Sequence, residues 1–110
     1  MTKAKDLARL GQIAQLILDV KLASLHLAVR KRQHSLDLLA ELNRAVPQDD
    51  LTLVVAHQTD LRYQRWAEMR RADINPILAR QTAEMLAARD EAGQAFGRNQ
   101  AVRALQGKHR

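Results

Sequence analysis

Residues 46–50 read Val-Pro-Gln-Asp-Asp and separate two long stretches in which glycine and proline are rare. Proline disfavours helical geometry in the residue before it, so a helix that reaches this segment ends there. Asp49 or Asp50 can then cap the next helix, because an aspartate side chain accepts hydrogen bonds from the first free backbone amides. The segment therefore predicts a turn over 46–50, at which the chain reverses direction.

The stretch before the turn predicts one long helix over 2–45, since it contains one glycine and no proline. Its apolar residues recur at spacings of three and four, as in the seam of a coiled coil. The seam consists of Leu22, Leu25, Val29, Leu36, Leu39 and Val46, with Arg32 and Asn43 as polar interruptions. A second apolar line beside it consists of Leu10, Ile13, Ile17, Val20 and Leu27. We therefore expect the first half of this helix to contact more than one neighbour.

The stretch after the turn predicts a second helix over 51–106, with a seam of its own. This seam consists of Ile74, Leu78, Met85, Ala88, Ala92, Ala95 and Val102. Pro76 lies within it, and a proline inside a helix costs about 3 kcal/mol, whereas Asn75 followed by Pro76 suits a helix start. We expect an all-α fold: a long antiparallel two-helix coiled-coil hairpin, one domain over 1–110, with the second helix kinked or broken near Pro76. A three-helix bundle is the alternative.

The charge pattern suggests a surface for protein binding. The chain has 18 Lys and Arg against 12 Asp and Glu, a net charge of +6, and only 3% aromatic residues. With the turn near Gln48, residues whose numbers sum to about 97 lie side by side, because both helices rise equally. This register predicts a belt that combines Arg30, Lys31, Arg32, Arg62, Tyr63, Arg65 and Trp66. Since Trp, Tyr and Arg are enriched at interface anchors, the belt is a candidate protein-binding surface; a merely solvated face is the alternative.

The two ends of the chain predict a second basic surface. In an antiparallel hairpin the N-terminal cations approach the C-terminal ones, and the sequence has no acidic residue after Glu91. The cations concerned are Lys3, Lys5, Arg9, Arg98, Arg103, Lys108 and Arg110. In the register above, residues beyond about 96 have no partner on the first helix, so Phe96, Arg98 and Arg103 are candidate partner-binding residues. A local contact of Phe96 with the first turn of the first helix is the alternative.

The residue types that carry catalysis are scarce or scattered. Cysteine is absent, the glycines occur singly, and the only serines, Ser24 and Ser35, lie inside the first predicted helix. The histidines lack the spacing that places two imidazoles on one metal ion. We therefore predict no catalytic residue, no metal site, no cofactor and no enzymatic activity. The longest uncharged apolar run, around 51–56, is too short to cross a bilayer, so we expect a soluble cytoplasmic protein.

Several segments together resemble the FliJ-like family of flagellar and type III protein export proteins, which are small cytoplasmic antiparallel coiled coils with basic ends. The segments are the turn at 47–50, Tyr-Gln-Arg-Trp-Ala at 63–67 and Ala-Phe-Gly-Arg at 95–98, in a chain of similar architecture. The resemblance implies a non-enzymatic stalk or adaptor that docks its basic paired termini on the ring of a hexameric export ATPase. It also implies contacts with the export gate and with chaperones, and membrane association only through those partners.

Two other functions fit the same sequence. A basic helical protein binds nucleic acid by releasing counterions from phosphates, and Trp66 or Tyr63 can stack on bases. The acidic residues spread along the second helix make this alternative less favoured. A self-associating adaptor is the other alternative, in which the apolar line of the first helix docks a second copy to form a homodimeric four-helix bundle.

Overall fold

The structure, a computed structural model, describes residues 2–44 and 52–109. Two long helices pack against each other: α1 spans Thr2–Leu42 and α2 spans Leu53–Lys108. The described residues contain no strand, so the predicted all-α two-helix hairpin is confirmed. The predicted turn at 46–50 lies outside the described residues.

Helix α1 ends at Leu42, three residues before the predicted end. Its last turn tightens, because the Asn43 amide donates to the Ala40 carbonyl at 3.1 Å and the Arg44 amide donates to the Glu41 carbonyl at 3.2 Å. Such bonds to the third residue back commonly close an α-helix, since they satisfy carbonyls that lack a regular partner.

Helix α2 begins at Leu53, two residues after the predicted start. The Thr52 hydroxyl accepts a hydrogen bond from the Val55 amide at 3.3 Å, which places Thr52 at the N-cap position. The sequence had pointed to Asp49 or Asp50 for this role. Both aspartates lie outside the described residues, and Thr52 is the N-cap of α2 as the structure describes it.

Pro76 lies inside α2, and the helix runs through it without a break. Of the kink or break predicted near Pro76, a break is therefore excluded, and the described residues contain no third helix. Pro76 has no amide hydrogen to donate to the Ala72 carbonyl, but both residues are exposed, so water can reach that carbonyl. Ile74, two residues earlier, is buried against Leu42 of α1, and such packing stabilises the helix around the proline.

The chain divides into two compact units. Residues 1–30 and 83–110 form the first unit, and residues 31–82 form the second. The single domain over 1–110 stays a prediction. The core of the second unit contains Leu42, Ala67 and Ile74, and the partly buried Leu38, Leu39 and Tyr63 pack against it.

The core of the first unit is built mainly from small residues. Its buried apolar residues are Ala14 and Leu18 of α1 and Ala92, Ala95 and Val102 of α2. The burial of the last three, and of Ile74 in the second unit, confirms the predicted seam of the second helix.

The predicted seam of α1 is only partly correct. Leu25, Leu36 and Leu39 are half-buried as expected, whereas Leu22 and Val29 are exposed. Two apolar lines run side by side on this helix, and leucine spacing alone does not determine which one faces α2. In the first unit the buried apolar residues of α1 are Ala14 and Leu18, which the predicted seam did not include.

By length and composition, α1 is apolar enough to cross a membrane. Its most apolar window of 18 residues has a mean hydropathy of 1.3, and 11% of that window is buried. A mostly buried core helix of a soluble protein and an N-terminal signal sequence pass the same test. The cytoplasmic location inferred from the short uncharged runs stays a prediction.

Candidate protein interface

Hydrogen bonds between α1 and α2 define the register of the hairpin in each unit. In the first unit the Lys21 ammonium pairs with the Glu91 carboxylate at 3.1 Å. In the second unit Arg32 Nε donates to Thr82 Oγ1 at 2.9 Å. Residues whose numbers sum to about 114 therefore lie side by side, and the predicted sum of about 97 is wrong.

The predicted register failed because it placed the turn near Gln48 and assumed that the two helices pair directly on either side of it. Helix α2 meets the end of α1 only at Tyr63, whose hydroxyl donates to the Leu42 carbonyl at 3.2 Å. Arg71 then donates to Asn43 Oδ1 at 2.9 Å. The first residue of α2, Leu53, is 88% exposed. Side-chain packing and polar pairing thus set the register, and the position of the proline does not.

The predicted belt of cations and aromatic residues does not form as one surface. Arg32 lies level with Thr82 and not with Arg65, and its guanidinium is engaged by the Thr82 hydroxyl. Within the second unit Lys31, Arg62 and Arg65 are exposed, and Arg30 is an exposed residue of the first unit. The grouping is therefore wrong, while the role of each side chain in partner binding stays a prediction.

The aromatic part of that belt borders a hollow in the second unit. The rings of Tyr63 and Trp66 lie 5.7 Å apart between centroids and are tilted by 42°. The hollow has a volume of about 390 Å³, and Glu41 and Arg70 provide its charged groups. Trp66 is exposed, so it presents an aromatic face beside one acidic and one basic side chain.

The ends of the two helices pair within the first unit. Gln106 Nε2 donates to the Leu7 carbonyl at 2.9 Å, and Arg103 donates to Gln15 Oε1 at 3.1 Å. Asn99 Nδ2 donates to the same oxygen at 3.1 Å, and Asn99 is only 5% exposed. The expectation that residues beyond 96 lack a partner on the first helix is therefore wrong.

This pairing gathers basic side chains at one end of the first unit. The exposed cations there are Lys3, Lys5, Arg9, Arg98, Arg103 and Lys108, and Asp6 is the one described acidic residue among them. The first unit as a whole contains ten basic and five acidic residues. Phe96 is also exposed, at 54%. The result is a positively charged surface that attracts acidic partners.

The second apolar line of α1 remains exposed in the first unit. Its members, Leu10, Ile13, Ile17, Val20 and Leu27, are between 40% and 62% exposed. Leu10, Ile13 and Ile17 also line a groove of about 310 Å³, on whose opposite side lie Ala101 and Val102 of α2. Sequence reasoning found this line but did not show that it would be left uncovered.

Metal binding is the other kind of site for which the described residues can be searched. Among residues 2–44 and 52–109, no group of three or more His, Asp or Glu side chains is placed to hold a metal ion. Ser35 and Asn99 are buried and join one helix to the other, since Ser35 donates to Gln81 and Asn99 donates to Gln15. The basic end, the aromatic hollow and the apolar line all face outward.

Comparison with known proteins gives no match: no family model, no curated protein and no solved structure is similar to this chain. The FliJ-like resemblance therefore rests on architecture and on the short segments quoted above.

Proposed function

We propose that the protein is a non-enzymatic coiled-coil stalk or adaptor of a flagellar or type III protein export ATPase complex. In this proposal the basic paired termini dock on the hexameric ATPase ring, and other surfaces contact the export gate or chaperones. The protein works in the cytoplasm and reaches the membrane only through those partners.

The pairing of the helix ends is the observation that supports the proposal most directly. Gln106 of α2 bonds to Leu7 of α1, so cations from both ends of the sequence belong to one surface. A concentrated charge steers a partner of opposite sign and speeds its encounter, with an effect that weakens as salt rises. A ring of six equivalent sites suits such a surface, because charge attraction needs little shape matching at each site.

Charge reversal at the basic end tests the proposal. Lys3 and Lys108 are exposed, so Lys3→Glu combined with Lys108→Glu changes the local charge without removing a core side chain. We expect this double variant to bind a hexameric export ATPase about tenfold more weakly at low salt. Copurification and surface plasmon resonance at several salt concentrations measure the loss.

A matched control uses the same change of charge elsewhere. Arg44 and Arg80 are exposed residues of the second unit, and Arg44→Glu combined with Arg80→Glu should leave ATPase binding nearly unchanged. Equal losses in both double variants would contradict docking by the basic end. So would steep, salt-dependent binding to nucleic acid in the absence of any ATPase binding. Truncation after Arg89 would also remove the C-terminal cations, but it is a less informative test than charge reversal. It removes Ala92, Ala95 and Val102 from the core as well.

A further inference from the structure

The exposed apolar line of α1 has the spacing of a coiled-coil seam that lacks its second helix. From Leu10 to Leu27 the positions 10, 13, 17, 20, 24 and 27 alternate in steps of three and four. Ser24 is the one polar residue among them, and it too is exposed. This alternation places the six positions in one stripe along the helix, which is what a single helical neighbour covers. Leu16, which is 64% exposed, borders the stripe beside Ile13 and Val20.

The stripe lies beside the contact between α1 and α2 and not within it. At 100° per residue, its centre lies about a third of a turn round the helix from Ala14 and Leu18, which face α2. In a four-helix bundle each helix contacts two neighbours on adjacent faces. Helix α1 therefore has one face occupied by α2 and a second face of the right width and position for another helix.

The same spacing continues to a charged residue in each direction along α1. Asp6 lies four positions before Leu10, and Lys31 lies four positions after Leu27; both are exposed. The stripe thus begins with a carboxylate, continues through aliphatic side chains and ends with an ammonium group. Asp19 and Lys21, the charged residues between Leu10 and Leu27, bond to Gln15 and to Glu91.

We propose that a second copy of this chain covers the stripe, running antiparallel to the first about a two-fold axis between Ile17 and Val20. Residues whose numbers sum to 37 then face each other across the axis. Asp6 meets Lys31 of the second copy at both ends, and Leu10 meets Leu27 of the second copy. Ile17 faces Val20 of the second copy at the centre.

Charge selects this orientation over the alternative. A parallel pair would place Asp6 against Asp6 and Lys31 against Lys31, and like charges in contact are destabilising. The antiparallel pair makes two attractive contacts from one sequence, which is the symmetry of an isologous interface. The charge pattern is therefore complementary to itself only when the two copies run in opposite directions.

The stripe is exposed along its length, since its five aliphatic side chains are between 40% and 62% exposed. Covering them on two copies removes apolar surface from water, which is the main favourable term in association. The groove of about 310 Å³ beside Leu10, Ile13 and Ile17 offers space for side chains of the second copy.

A lipid surface fits the stripe less well. Helices that lie on membranes present a broad apolar face bordered by basic residues, and they bind anionic lipids. Here Asp6 and Ser24 lie on the line itself, and the carboxylate of Asp6 would face a negatively charged surface. Anionic vesicles therefore serve as a competing probe in the test.

Sedimentation equilibrium of the purified chain tests the proposed dimer without any ATPase. A failure of the dimer proposal can therefore be distinguished from a failure of the proposed function. We expect a dimer, twice the 12.4 kDa of one chain, at concentrations up to about 100 μM. A monomer throughout that range would overturn the proposal. Binding to anionic phosphatidylserine vesicles by a monomeric chain would assign the stripe to lipid instead.

Exchange of the two charges tests the orientation. Asp6→Lys alone and Lys31→Asp alone should each weaken the dimer about tenfold, because every cross-axis attraction becomes a repulsion. The double variant Asp6→Lys, Lys31→Asp restores both attractions and should recover the original affinity. An equimolar mixture of the two single variants should form mixed dimers. Failure of both the double variant and the mixture to recover would refute the antiparallel arrangement.

Two further variants separate association from folding. Val20→Asp places a charge at the centre of the stripe on a side chain that is 62% exposed, so it should abolish the dimer and preserve helicity by circular dichroism. Asp19→Lys makes the same reversal as Asp6→Lys on an exposed position away from the stripe, and should leave the dimer intact. Equal weakening by Asp19→Lys and Asp6→Lys would show that net charge, and not this interface, controls association.

Discussion

Replacing Gln15 by leucine should destabilise the protein by about 1–3 kcal/mol, because it removes the acceptor of a buried amide. Gln15 Oε1 accepts hydrogen bonds from Asn99 Nδ2 and from an Arg103 guanidinium nitrogen, each at 3.1 Å. Asn99 is 5% exposed, so its amide finds little water once the acceptor is gone. Arg103 is exposed and regains water, so its loss contributes little.

Urea unfolding followed by circular dichroism, at one fixed protein concentration, measures this change. The double variant Gln15→Leu, Asn99→Leu removes both polar partners, and we expect it to recover most of the lost stability or to exceed the original. Gln12→Leu is the matched control, since Gln12 is an exposed glutamine on the same helix. Stability unchanged in Gln15→Leu, or equal losses in Gln12→Leu, would refute the role assigned to this bond.

Three other substitutions probe single features of the helices. Pro76→Ala restores a backbone donor within α2 and should stabilise it by about 3 kcal/mol, measured by urea unfolding; no gain would mean that the helix is already relaxed there. Thr52→Ala removes the hydroxyl that caps α2 and should cost about 1 kcal/mol, whereas Thr52→Ser should keep most of the stability. Gly11→Ala places a methyl group against the Gln106 amide, so alone it should bring no gain in the free energy of unfolding. In a Gln106→Ala background it should raise the free energy of unfolding by about 1 kcal/mol relative to Gln106→Ala alone. Equal effects of Gly11→Ala with and without that second change would contradict the contact.

The two helices could be predicted from the sequence, because their signals are local. Glycine and proline are rare within them, and the spacing of Ala92, Ala95 and Val102 identifies the buried face of α2. Pro76 left a kinked and a broken helix both open from the sequence. The helix is continuous there, because the cost of about 3 kcal/mol is set against packing on both sides of the proline. The packing of neighbouring residues thus determines whether the helix continues more than the helix propensity of one residue does.

The register could not be predicted, and the candidate site depended on it. Arg32 was expected beside Arg65 and lies beside Thr82, because the choice among registers rests on contacts between residues far apart in sequence. Ser35 illustrates the point: it is buried and donates to Gln81 Oε1, a pairing that no local pattern indicates. The basic end was predicted correctly in outline, since any antiparallel arrangement brings the two termini together.

The alanine-built core of the first unit has a consequence for how the protein persists in the cell. An alanine gains far less on burial than a leucine or an isoleucine does, because the gain is proportional to the apolar area removed from water. If a second copy covers Ile13 and Val20 as proposed, dimer formation stabilises the folded state, and the melting temperature should rise with protein concentration. Under that proposal a monomer would unfold more often than a dimer and would be degraded sooner.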